Sequence, residues 1–279
     1  MRKVKIPKSQ IFCFVLIIIV CIIAIVEALY YVMNPKALDN KNTGENSENN
    51  NTISNVNLAD NFDNIFKNTF KNSNTSEEAK KILEDKDYIY TEYEKNEVNS
   101  GNYEINVKIP IINIDSEEVK SYNEDIKKVF KDKAESILNG GANKSIYSVD
   151  YEACLNNNIL SIIIRSTLKE GNNPQRVIIQ TYCYNVKEMK KVEFSEVMKI
   201  KNLDKAVVQE KIKKQIQGKQ EEAKALQQLG YDVYTRDLRS DRYEVENISN
   251  FFIDEANNVY VIYAYGNSSN TDVTDIITF

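Results

Sequence analysis

Three arginines and three tyrosines crowd the thirteen residues YDVYTRDLRSDRY, Tyr231–Tyr243, in a chain with only six arginines in all. Arginine and tyrosine are the side chains that most often anchor protein interfaces. A guanidinium also stacks on flat rings and grips carboxylates through two parallel hydrogen bonds. Tyr231, Tyr234, Arg236, Arg239, Arg242 and Tyr243 are therefore the candidate partner-binding residues. The competing reading is a solvated loop whose arginines pair with Asp232, Asp237 and Asp241. A second polar stretch, YAYGNSSNTDVTD, offers Asn267, Asn270, Asp272 and Asp275 as oxygen ligands for calcium. Its spacing lacks the alternate ligands and central glycine of an EF-hand, so it reads better as a polar loop between strands.

Catalytic chemistry is narrowed by one count: the 279 residues include no histidine. That excludes Ser-His-Asp and Cys-His catalysis, histidine-ligated zinc and the facial-triad iron site. Carboxylate-only glycoside hydrolysis needs two acids facing each other across roughly 5–10 Å. The spacing of the acids singles out no such pair, and Lys144–Ser145 makes no credible Ser-Lys dyad. No catalytic residue, metal or cofactor is expected, and the chain is read as non-enzymatic.

These residues must be carried by an organised chain, and its N-terminus sets the compartment. Residues 1–10 hold Arg2, Lys3, Lys5 and Lys8 and no acid. Residues 11–33 are apolar apart from Glu27, which is long enough for a transmembrane helix. The basic flank predicts an N-terminus in the cytoplasm and an extracellular body, a single-pass protein of the cell membrane. A cleaved signal peptide ending at VEA, Val26–Ala28, is the alternative. Setting aside the four basic residues of the tail and Glu27, 32 basic and 40 acidic residues remain, a net charge of −8. Such a body is a poor nucleic-acid binder and attracts cationic proteins.

Residues 34–85 form an Asn-rich linker. A flexible tether of about 45 residues spans roughly 35–40 Å, which keeps the body near the membrane. The next unit, 86–190, opens with two alternating runs, DYIYTEYEKNEV and NYEINVKIPIIN, joined through NSG as a hairpin. Pro110 suits an edge position or a bulge. A helix follows, capped by Asp115 or Ser116, with Val119, Tyr122, Ile126, Val129, Phe130 and Ile137 inward as far as Leu138. Three further strands are expected to form an antiparallel meander. Its outer strands would hold Cys154 and Cys183 about 10 Å apart, too far for a disulfide. Free, buried thiols are expected.

The unit 191–279 carries a short helix, FSEVMKI, and a long one over Leu203–Leu229. Ala206, Val207, Ile212, Ile216, Ala223, Leu226 and Leu229 are expected inward on the long helix, and Gly230 caps its end. Two strands and the run DVTDIITF close the chain. The fold class is α+β, antiparallel sheets each packed by a helix.

The phrases YEINVKIPIINIDSEEVKSYNEDI and FFIDEANNVYVIYAYGNSSNTDVTDIITF, with the meander between them, resemble the extracellular domain of RsiV-type anti-sigma factors. They are also similar to the region preceding the catalytic domain in PdaC-type peptidoglycan deacetylases. The likeness covers roughly residues 86–279, as a PdaC-like subdomain followed by an RsiV C-terminal-like one. It implies an outward-facing sensing or binding module, in RsiV a receptor for lysozyme. The ten residues before the apolar segment are expected to be too few to hold a sigma factor, and a sequence without histidine is not expected to supply the histidine-ligated metal site of the deacetylases. The expected function is binding or sensing at the bacterial cell envelope, with a lysozyme-like cationic protein as partner. The alternative is an accessory module that binds peptidoglycan or other cell-wall glycan.

Overall fold

The computed structural model describes residues 71–72, 86–140, 144–265 and 271–279. The basic tail, the apolar segment 11–33 with Cys13 and Cys21, the linker other than 71–72, and Asn267 and Asn270 lie outside the described residues. Among the described residues no helix is long and apolar enough to cross a membrane.

The fold is α+β, with one large sheet, one small sheet and helices against both. The large sheet holds β1 (Lys71–Asn72), β2 (Ile89–Asn99), β3 (Tyr103–Ile112), β4 (Ser145–Asn156), β5 (Ile159–Glu170), β6 (Arg176–Asn185) and β7 (Lys190–Lys191). Strands β2 to β7 lie in chain order, and β1 pairs with β4 beyond the end of β3. Residues 71–72, expected within the linker, thus join the sheet.

The expectation of wholly antiparallel sheets is corrected at two places, the first being β1, which pairs with β4 in parallel, Lys71–Asn72 against Cys154–Leu155. Strands β3 and β4 also pair in parallel, Tyr103–Val107 against Ser145–Val149. The helix between them returns the chain to the end of the sheet from which β3 started, so β4 must run the same way as β3. The hairpin and the meander are antiparallel as expected. Asn157 and Asn158, both at positive φ, make the two-residue turn between β4 and β5, as a type I′ turn requires. A bulge between Thr91 and Tyr93 faces Pro110, which has no N–H to give to the ladder.

Helix α1 (Glu117–Ile126) starts at Ser116, whose hydroxyl accepts the Val119 N–H at 3.2 Å. Asn123 locks it to the end of β3, donating to Ile112 O and accepting Ile112 N–H, both at 2.9 Å. The helix does not run unbroken to Leu138. A π turn at Lys127–Lys131 separates it from α2 (Asp132–Asn139). The expected apolar stripe still faces the sheet: Val119, Ile126, Phe130 and Ile137 are buried over β3, β4 and β5.

The other face of the large sheet is covered by a small antiparallel sheet, β8 (Phe251–Ile253), β9 (Val259–Tyr265) and β10 (Val273–Thr278). Strand β5 is consequently buried on both faces, with Leu160, Ile162 and Ile164 toward α1 and Ile163 toward the small sheet. The run ILSIII, apolar apart from Ser161, is the composition such a central strand needs. Two hydroxyls complete the join. Ser161 Oγ accepts the Ile253 N–H at 2.8 Å and Thr181 Oγ1 accepts the Phe251 N–H at 3.0 Å.

The short helix α3 (Phe194–Ile200) and the long α4 (Lys205–Gln228) complete the second core. The inward face of α4 is Val208, Ile212, Ile216, Gln220 and Ala223. Ala206, Val207, Leu226 and Leu229, expected inward, are exposed. Spacing of four sets the buried row, and the last turn of α4 extends past the sheet it covers. Gly230, at φ +89, ends the helix, and Tyr231 N–H bonds back to Leu226 O at 3.1 Å, as in a Schellman cap.

Candidate functional site

The loop after α4 is built from the inside. Arg236 reaches Asp275 on β10 with two hydrogen bonds, Nε to Oδ2 at 2.6 Å and Nη2 to Oδ1 at 2.7 Å. Both side chains are almost wholly buried, 8% and 4% exposed, so this pair is a fixed anchor rather than a gripping hand. The Gln220 side chain accepts the Arg236 N–H, tying the loop to α4. Asp275 is therefore committed to Arg236 and not open to calcium. Among the described residues no group of three or more His, Cys, Asp and Glu could hold a metal ion.

Tyrosines make the second layer. Tyr234 lies against Tyr265 with ring centroids 5.0 Å apart, and Tyr243 meets Tyr263 edge-on at 5.2 Å. The guanidinium carbons of Arg236 and Arg242 sit 5.5 and 5.4 Å from the Tyr265 ring centroid, within reach of a cation–π attraction. Burial pushes the Tyr263 and Tyr265 hydroxyls far above the usual phenol range. The Tyr263 hydroxyl is buried without a hydrogen-bond partner, while that of Tyr265 lies against Tyr243 and Asp275. Gln209 fixes the far end of the loop, donating to Tyr243 O at 2.8 Å and accepting Val245 N–H at 2.9 Å.

The six residues singled out in sequence divide accordingly. Tyr234, Arg236, Arg242 and Tyr243 gather around Tyr265, and of these only Arg242 is exposed. Tyr231 and Arg239 are not brought into that cluster. Tyr231 is 62% exposed and the Arg239 side chain 94% exposed, its one ion pair a loose 3.6 Å contact with Asp237. Of the aspartates expected to pair with the loop arginines, Asp237 does so. Tyr263, Tyr265 and Asp275 were missed as partners of the loop. The alternation of VYVIYAY does put both tyrosines on one face of a strand. Nothing local says that this face meets a loop some thirty residues away.

Beside the loop runs a groove of about 280 Å³ between α4 and β10, walled by Ala223, Leu226, Tyr234 and Arg236. Leu226 and Leu229 stand exposed at the end of α4 beside Tyr231. A pinned loop with exposed Tyr and Arg next to exposed leucines can recognise a surface.

Three further titratable groups are buried on this part of the large sheet. Cys154 and Cys183 are free and buried, as expected, in line across Ser161 on β5. Burial pushes both thiols up to about 12. Glu152, 5% exposed on the same face of β4, is pushed up to about 8 by burial, then by Asp150 and Glu255.

No family model matches the chain, and no curated protein does. A solved member of the DUF3298 family from Bacteroides fragilis aligns over 63% of this chain and 80% of its own, at 11% identity and a TM-score of 0.29. A likeness that slight bears on neither fold nor function.

Proposed function

We propose that the chain is a membrane-anchored, extracytoplasmic binding protein of the bacterial cell envelope, RsiV-like in kind, whose partner is a cationic protein such as lysozyme. Recognition, not turnover, is its work. The observation that supports this is the internal anchoring of the Tyr231–Tyr243 loop. Arg236, Tyr234 and Tyr243 are spent on holding it rigid, while Tyr231, Arg239 and Arg242 stay exposed. Ordering the loop before binding lowers the entropy cost of association. The net charge of −8 beyond Met33 supplies long-range attraction for a basic partner, an effect that salt weakens.

The full-length chain in phosphatidylcholine nanodiscs is expected to retain lysozyme at low ionic strength and release it as salt is added. Tyr231→Ala and Arg239→Ala are each expected to weaken retention about fivefold or more. No retention at low ionic strength would end this reading. A second reading is favoured by the same exposed Tyr and Arg, which also stack on sugar rings: an accessory module for cell-wall glycan. Sedimentation of the full-length chain with purified cell wall, undiminished by salt, would select it.

A further inference from the structure

The helix over the large sheet is interrupted where its sequence does not demand it. At Lys127–Lys131 the backbone forms a π turn, and the Asp132 N–H bonds Lys127 O, five residues back. No proline or glycine lies in the segment. A π turn adds a residue to an α-helix, and such insertions occur often at functional sites. This one places Lys128 and Val129 on the wall of a pocket of about 380 Å³ between the helix and the open end of β4–β6. That volume falls within the range of small-molecule sites, roughly 300–1,000 Å³.

The pocket has an apolar floor and a cationic rim. Val129, Tyr147 and Leu168 line the floor. Ile178 is 43% exposed, apolar surface left in water at the pocket mouth. Lys128, Lys133 and Arg176 stand on the rim. Lys133 and Arg176 share one carboxylate, Glu170, at 2.7 and 2.6 Å, and Asp132 is taken by Lys127 at 2.7 Å. Lys127, Lys128, Lys133 and Arg176 against Asp132, Glu170 and, beside Lys127, Glu135 leave one positive charge, in a body whose net charge is negative.

We propose that this pocket binds a small, free amphipathic anion: a carboxylate carried on a compact apolar body. The apolar part covers Val129, Leu168 and Ile178, and the carboxylate meets Lys128 with Lys133 and Arg176 behind it. The proposal does not rest on the partner reading above, because the Arg and Tyr loop packs with the small sheet on the opposite side of the large one.

The test is calorimetric titration of the full-length chain in phosphatidylcholine nanodiscs with 4-phenylbutyrate and with its uncharged amide, against empty nanodiscs. The acid is expected to saturate one site and the amide to bind about tenfold more weakly. Lys128→Gln weakens the acid about three- to tenfold and leaves the amide unchanged. Ser136→Trp, a substitution at an exposed position on the pocket wall, abolishes binding of both without moving the unfolding midpoint. Equal affinity for acid and amide overturns the proposal. So does unchanged binding of the acid to K128Q and S136W, or no saturable binding to the unsubstituted chain. Binding seen only when the nanodiscs carry phosphatidylglycerol identifies a lipid surface and equally overturns it.

Discussion

Glu152 shows how a side chain's chemistry is rewritten by what covers it. Its native pKa of about 8 stands above the ordinary value of 4.5, because burial, Asp150 and Glu255 all disfavour the anion. The native state therefore keeps a proton that the unfolded chain gives up. Stability from this group is full below pH 4.5 and is lost as the pH rises to about 8, on the order of 5 kcal/mol across that window. Glu152→Gln should remove that slope and raise the unfolding midpoint at pH 8, as urea titrations at several pH values would show. An unchanged slope would mean that Glu152 is solvated in the native state. Cys154 and Cys183 obey the same physics. With both thiols pushed up to about 12, neither should react with a disulfide reagent at pH 8 until the protein unfolds, when both should react together. Rapid labelling at Cys154 or Cys183 in the native chain, mapped by peptide and so told apart from Cys13 and Cys21, would place them at the surface.

At the scale of elements, the join between the sheets depends on hydroxyls. Strand β8 is the edge of the small sheet, and its N–H groups at Phe251 and Ile253 find Thr181 and Ser161 instead of another strand. Ser161→Ala leaves one buried N–H unmatched, at a cost of about 1–3 kcal/mol. Hydrogen exchange should then quicken at Phe251–Ile253 while the β2–β3 hairpin stays protected. Uniform quickening throughout would show that the small sheet never opens apart from the large one. The buried Arg236–Asp275 pair plays a comparable part at the loop. Arg236→Met strands a buried carboxylate and is expected to cost about 3–5 kcal/mol, and adding Asp275→Leu should recover most of it. Thermal unfolding of the single and double variants measures the recovery.

For the whole molecule, the two cores meet across one sheet. Residues 86–190 and 191–279 read as separate units in sequence, yet Ile163, Ile179 and Cys154 of the first pack with Phe252 and Ile262 of the second. The described residues belong to one compact unit. A fragment of residues 86–190 alone would expose that apolar face of β4–β6 and should self-associate or bind an apolar dye. A monomeric, dye-silent fragment would show that the large sheet is sufficient alone.

Local patterns settled most of the elements. Alternation marked the hairpin, β-branched and aromatic runs marked the meander, two of the three small-sheet strands were legible, and Asp115 or Ser116 and Gly230 marked helix ends, because each signal involves residues close in the chain. The same patterns placed six candidate binding residues in one loop, and the loop is where they stand. They could not say which of the six turn inward. That depends on Asp275, some forty residues away, and on the unmatched buried carboxylate it would be without Arg236. Nor could they give the direction of β4, the π turn at Lys127–Lys131 or the phase of α4. Those follow from which faces the folded chain must cover, a property of packing between segments distant in sequence.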